Sequence, residues 1–176
     1  DLLDHAVKPG EARARRVAAR EIVERAASSV QGAAAARRIL IERKAAENLP
    51  QVMVDPDRVQ QVLSNILSNA LRYTPEGGTI GIGASLQERD GVGGDAVVIR
   101  VADSGPGIPA DQLSRVFERF FRGDLSRSRA TGGSGLGLAI AKSLVEGWDG
   151  RIWAENRPEG GAVFSFTVPP APKGTR

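Results

Sequence analysis

The chain has 176 residues, enough for one compact domain with a short appendage, and its 41% hydrophobic and 26% charged residues suit a globular protein rather than a disordered one. Twenty-four Lys and Arg against 21 Asp and Glu leave a net charge of +3, too slight an excess to argue for nucleic-acid binding unless it is clustered. Cysteine is absent and His5 is the single histidine, which excludes disulfides, thiolate metal sites and a cysteine nucleophile and argues against a multi-histidine metal centre or a Ser-His-Asp triad. Any chemistry must rest on Asn, Asp, Gly, Arg and a bound cofactor.

Residues 1–16 mix charge with Pro9 and Gly10 and read as a linker. They lack the apolar centre of a signal peptide, and no run approaches the roughly 18 apolar residues of a membrane span, so this stretch of chain is expected to be soluble. Between 20 and 37, Ile22, Val23, Ala26, Ala27 and Val30 recur at helical spacing. Short apolar runs at 39–41 and 52–54 predict strands. Asp55 and Pro56 then supply an N-cap and a first-turn proline for a helix over 57–73. In that helix Val59, Val62, Leu63, Ile66, Leu67, Ala70 and Leu71 make one apolar arc, while Asn65, Asn69 and Arg72 share a different side.

Alternation predicts strands at 79–86 and 96–102, joined as a hairpin by a Gly-rich turn around Gly91 and Gly94. A short helix is expected over 111–121, a long polar loop over 122–134 and a helix over 136–147. Two closing strands, 151–155 and 162–168, flank a turn at Pro158-Glu159-Gly160-Gly161. The elements add up to an α/β two-layer sandwich, with three main helices on one face of a mixed, mainly antiparallel sheet. The domain is expected to span 17–170, with a short tail at 171–176.

Four features carry candidate chemistry. Carboxamides on the side of a helix need hydrogen bonds or a ligand once desolvated, so Asn65 and Asn69 are either surface residues satisfied by neighbours or oxygen donors for a hard cation such as Mg²⁺. Asp103-Ser-Gly-Pro-Gly107 is either a plain turn or a carboxylate that accepts from an exocyclic amine, favouring adenine, beside glycines that admit a flat base. Gly132-Gly-Ser-Gly-Leu-Gly137 opens a helix and is either a hinge or a cradle of backbone N–H groups for phosphate oxygens. It lacks the lysine of a Walker A loop. Val116-Phe-Glu-Arg-Phe-Phe-Arg122 supplies core anchors that could also tether the base of a lid.

In this order the four segments resemble the catalytic ATP-binding domain of sensor histidine kinases, within the superfamily of DNA gyrase, ninety-kilodalton heat-shock chaperones and mismatch-repair ATPases. QQVLSNILSNALRYTP (60–75) is similar to the N box, DSGPGI (103–108) to the first glycine box, VFERFF (116–121) to the F box and GGSGLGLAIA (132–141) to the second glycine box. The resemblance covers about 17–168 and implies the Bergerat-type fold, with ATP beside the helices and a lid over 121–134. It implies Mg²⁺ on Asn69, the adenine amine on Asp103, and a base pocket shaped by Tyr73, Gly105, Gly107, Ile108 and Phe121. The phosphates would meet Arg72 and the segment Gly133, Ser134, Gly135, Leu136 and Gly137.

ATP-hydrolysing members, and the related serine kinases, carry a glutamate one turn before the magnesium asparagine. That position here is Asn65, and an amide has no useful basicity. The resemblance therefore implies a histidine kinase, with Asn65 and Arg72 as the catalytic-site residues. Its phosphoacceptor would sit on a separate dimerisation domain, with a response regulator downstream and no nucleic-acid partner. Pro9 only partly echoes the phosphoacceptor motif around His5, which reads as a linker residue, and Leu2-Leu3 as the last trace of the dimerisation helix. This stretch is expected to be a monomeric cytoplasmic domain of a homodimeric, membrane-anchored phosphoprotein. The alternatives are an ATP-hydrolysing conformational switch and a non-catalytic nucleotide-binding module.

Overall fold

The computed structural model describes residues 13–88, 94–119, 121 and 135–173. The elements run β1 (Arg15–Val17), α1 (Ala19–Ala36), β2 (Leu40–Ala45), β3 (Val52–Val54), α2 (Pro56–Tyr73), β4 (Thr79–Gln87), β5 (Ala96–Asp103), α3 (Gly137–Gly147), β6 (Ile152–Asn156) and β7 (Ala162–Val168). One sheet has the order β2-β4-β5-β7-β6, in which only the β2–β4 pair is parallel; β1 and β3 form a separate antiparallel pair. The expected α/β two-layer sandwich is what the chain builds.

Alternation along the central strands sets the two faces. Val97, Ile99 and Val101 of β5 and Phe164, Phe166 and Val168 of β7 turn toward the helices and are buried. Arg100, between Ile99 and Val101, is exposed on the opposite face, where its guanidinium donates to Ser85 Oγ at 2.5 Å. The helix α1 packs on β2 and β4, α2 on β5 and α3 on β7, with α2 between the other two helices. Six residues of the predicted α2 arc, Val59, Val62, Leu63, Ile66, Leu67 and Ala70, are buried, and Leu71 lies partly buried against them.

The ends of α2 matter most for the site, because this helix carries Asn65, Asn69, Arg72 and Tyr73. Asp55 accepts from Asp57 N–H at 3.0 Å and Pro56 occupies the first turn, as expected from sequence. At the other end Thr74 is fully buried, and its Oγ donates to the carbonyl of Ala70 at 2.7 Å. Arg37, just past α1, donates from its guanidinium to the carbonyls of Leu71 and Thr74. A cation on the last carbonyls satisfies acceptors the helix leaves open and suits its negative end. The C-terminal turn of α2 is thereby fixed to the end of α1.

Two expectations change. Arg15 and Arg16, read as linker, form β1 with Val17 and pair with β3, while Arg16 donates to the carbonyl of Pro172 at 2.6 Å. Residues 111–119 do not form the expected α-helix. The bonds Gln112 N to Pro109 O, Arg115 N to Gln112 O, Glu118 N to Arg115 O and Phe121 N to Glu118 O close successive four-residue turns instead. Val116 and Phe117 still anchor the segment, Val116 buried and Phe117 edge-on to Phe164 with ring centroids 6.1 Å apart.

Candidate functional site

The site is assembled where the C-terminal half of α2, the end of β5 and the start of α3 meet. Asn65, Asn69, Arg72 and Tyr73 are each half-buried on α2. Asn65 stands against the first residue of α3: a Cβ added to Gly137 would lie 3.8 Å from the Asn65 Cβ. The Asn65 Nδ2 is buried with no hydrogen-bond partner among the described residues. A desolvated amide donor without a partner costs about 1–3 kcal/mol, so this atom marks a place for an acceptor that none of the described residues supplies. Leu136 is the N-cap residue of α3 and offers no side-chain bond, which leaves the opening N–H groups of that helix free of a side-chain cap. Gly135 precedes it with φ +72°. Gly133 and Ser134 lie outside the described residues, as do most of the expected lid and His5.

Asp103, the last residue of β5, is only 5% exposed. Its Oδ1 accepts from Gly105 N–H at 2.9 Å and from Ala162 N–H at 3.3 Å. Both bonds fall on one oxygen, so the other is the oxygen available to a ligand. Burial pushes the Asp103 carboxyl above the ordinary carboxylate range, against the opposing pull of the two N–H bonds and of the Arg157 guanidinium. Gly105 sits so close to α2 that a Cβ would come within 2.8 Å of the Tyr73 carbonyl. This contact joins the end of the N box to the first glycine box.

The loop after Asp103 is held from both sides. Ser104 Oγ accepts from Thr79 N–H at 2.9 Å, and Ser104 N–H donates to the Thr79 carbonyl at 3.1 Å. Across the loop, Asn156 Oδ1 accepts from Ile108 N–H at 2.7 Å while its Nδ2 donates to the Ile108 carbonyl at 2.6 Å. Gly107, at φ +81°, has its missing Cβ position 2.9 Å from Asn156 Oδ1. Arg157 donates to the Asp103 carbonyl at 3.1 Å and pairs with Glu159 at 2.7 Å. Ile108 and Phe121 pack partly buried on the core, and the Arg115 guanidinium lies over the Phe121 ring at 5.1 Å.

Sequence reasoning therefore named residues that the fold brings together in two groups: Asn65 with Gly137, and Tyr73 with Asp103 and Gly105. Arg72 and Asn69 share the helix but make no side-chain bond among the described residues. It missed Arg37, Ser104, Asn156 and Arg157. Each of these acts by a side-chain bond to a distant backbone group; the local signals they carry are the place of Ser104 within DSGPGI and an Asn closing a strand before a Gly-containing turn.

As to metal, no group of three or more His, Cys, Asp or Glu stands together among the described residues. A cage made wholly of protein ligands is thus not what these residues offer. A single half-buried carboxamide such as Asn69 fits a cation that keeps several waters and shares its remaining positions with phosphate oxygens, the usual habit of Mg²⁺.

Residues 54–172 match the family described as histidine kinase-, DNA gyrase B- and HSP90-like ATPases. The chain is 42% identical over 132 residues to the adaptive-response sensory kinase SasA of Nostoc sp., a match covering 75% of this chain and 31% of that one. It thus spans about a third of the length of that relative. Full-length ShkA in complex with AMPPNP superposes with a TM-score of 0.76 at 30% identity, over 92% of this chain and 32% of ShkA. The histidine kinase ThkA in complex with the response regulator TrrA gives a TM-score of 0.71 at 26% identity, over 90% of this chain and 42% of that one. With the N box, the first glycine box and the described part of the second in one fold, the chain belongs to the histidine kinase-, DNA gyrase B- and HSP90-like ATPase family, as a catalytic ATP-binding domain of the sensor histidine kinase type.

Proposed function

We propose that this domain binds Mg²⁺-ATP and passes the γ-phosphoryl group to a histidine on a separate dimerisation domain of its parent protein. The observation that carries the reading is Asn65: an amide, its Nδ2 buried and without a hydrogen-bond partner among the described residues, stands beside the first residue of α3. By resemblance, the hydrolytic branches place a glutamate there. An amide activates neither a water nor a hydroxyl, but it can donate to a phosphate oxygen. Phosphoryl transfer depends mostly on positioning and charge neutralisation, so a domain that only presents the nucleotide suffices when the acceptor is an imidazole.

Asp103 accepts from the adenine amine, and the backbone of 104–108, held by Ser104 and Asn156, forms one wall of the base pocket. Tyr73 and Ile108 border the base. Asn65 and the opening N–H groups of α3 meet the phosphate chain, with Arg72 nearby and Gly135 and Gly137 leaving room for it at the start of that helix. Asn69 would hold Mg²⁺ through its side-chain oxygen, and the chemistry such an ion would supply is neutralisation of the phosphate charge. The parent protein is a homodimer whose phosphohistidine serves a response regulator, in line with the ThkA–TrrA complex. Its anchoring in the cell membrane follows from the family resemblance alone; among the described residues no helix is long and apolar enough to cross a membrane.

The test is a transfer assay with labelled ATP. The chain alone stays unlabelled, and an added dimerisation domain from the parent becomes labelled on histidine. Label on His5, or steady phosphate release without an acceptor, would overturn the reading. In the same assay Asn69→Ala is expected to raise the Mg²⁺ concentration for half-maximal transfer about tenfold, the effect of losing one oxygen ligand. An unchanged Mg²⁺ titration would remove Asn69 from the metal site.

A further inference from the structure

The β6–β7 hairpin lies on the far side of the base loop from α2, and none of its residues belongs to the four boxes. It nevertheless holds that loop at several atoms. Asn156, closing β6, receives Ile108 N–H at 2.7 Å and donates to the Ile108 carbonyl at 2.6 Å, so one carboxamide satisfies both backbone groups of a residue 48 positions away. Arg157 donates to the carbonyl of Asp103 at 3.1 Å, and Ala162 N–H donates to its Oδ1 at 3.3 Å. The turn between them is closed by Arg157 N–H to the Gly161 carbonyl at 2.8 Å and by the Arg157–Glu159 pair. Asn156 is itself exposed. Neither burial nor the sheet requires a carboxamide there. A bidentate side chain that grips a loop backbone at both its donor and its acceptor fixes the peptide's orientation as well as its distance.

We propose that Asn156 and Arg157 are positioning residues for the base subsite: the hairpin they belong to sets the height and tilt of residues 103–108 against the nucleotide. The inference rests on the proposed ATP site and assigns the specificity-bearing loop a second support, independent of α2. Asp103 is then held at side chain and backbone together, through Oδ1 by Gly105 and Ala162 and through its carbonyl by Arg157. Such a support acts on ground-state binding of the base and leaves the phosphate side of the site untouched.

The experiment measures AMPPNP affinity with Mg²⁺ by calorimetric titration for the wild type, Asn156→Ala, Arg157→Gln and the double variant, and KM and kcat for ATP in the transfer assay. Loss of each clamp is expected to weaken binding about fivefold, and of both more than tenfold. KM should rise by the same factors with kcat unchanged, the signature of lost uniform binding. Asn156→Asp keeps the acceptor for Ile108 N–H but loses the donor, and should fall between wild type and Asn156→Ala. Unchanged affinity in the double variant, or a fall in kcat with KM constant, overturns the proposal. A wild type that does not bind AMPPNP overturns the functional reading instead.

Discussion

Asp103→Asn is expected to leave the domain folded and to weaken ATP binding by 100-fold or more, about 3 kcal/mol. The asparagine oxygen can still accept from Gly105 and Ala162, so the backbone around it keeps its bonds. The amide nitrogen then takes the place of the free carboxylate oxygen and turns a donor toward the adenine amine, which is itself a donor. Two donors facing each other in a site this buried cost far more than a missing contact does in water. Titration with AMPPNP and Mg²⁺ measures the loss, and circular dichroism checks the fold. Retained affinity in a folded Asp103→Asn would take the base away from this residue.

The same carboxylate makes the pH dependence run in two directions. Burial raises its pKa in the folded protein, so the folded state holds a proton that the unfolded chain has already released. The stability this contributes is fully present below the ordinary carboxylate value and is lost as pH rises through the raised one. Nucleotide binding needs the ionised oxygen and therefore has the opposite slope, failing as pH falls through that raised value. Affinity for AMPPNP should decline on acidification at a higher pH than an ordinary aspartate would dictate, and in Asp103→Asn this limb should disappear. An identical acid limb in both proteins would assign it to another group.

How much of this could be read from residues alone follows from how far each interaction reaches along the chain. The helix α2 was legible to within one residue because its cap, its apolar period and its stop are all local: Asp55 and Pro56, the arc from Val59 to Leu71, then Thr74 and Pro75. The boxes were legible because a glycine before a helix and an Asp after a strand are local too. The short strand β1 was not, since three residues rich in Arg show no alternation and exist only by pairing with Val52–Val54. The 111–121 segment misled because Phe117 and Phe121, four residues apart as on a helix, pack on the core with Val116, while the backbone closes successive four-residue turns. The clamps were invisible for the same reason as β1. Arg37 reaches Leu71 and Asn156 reaches Ile108 across 34 and 48 residues, and only the folded topology makes those pairs neighbours.

That dependence on distant contacts is sharpest at Gly161. Gly161→Ala is expected to cost about 4 kcal/mol and to lower the melting temperature by roughly 10 °C. The residue has φ +92°, a region that disfavours any side chain, and an added Cβ would fall onto the carbonyl oxygen of Asp103, closer than non-bonded atoms approach. Neither side has room to yield. Asp103 pairs with Ile80 in the sheet and accepts from Ala162, and Ala162 pairs with Asn156 at the start of β7. Gly160 is the control, because it has φ +104° but nothing within 4 Å of its Cβ position. Gly160→Ala therefore bears the backbone penalty without the collision, about 1 kcal/mol and roughly 3 °C. The two substitutions differ by one position in the same turn, so thermal melts of both separate strain from contact. Equal melting losses would mean that the hairpin does not press on the end of β5. A clearly larger loss in Gly161→Ala than in Gly160→Ala, with weaker AMPPNP binding in the protein that remains folded, would tie the stability of the turn to the carboxylate that reads the base.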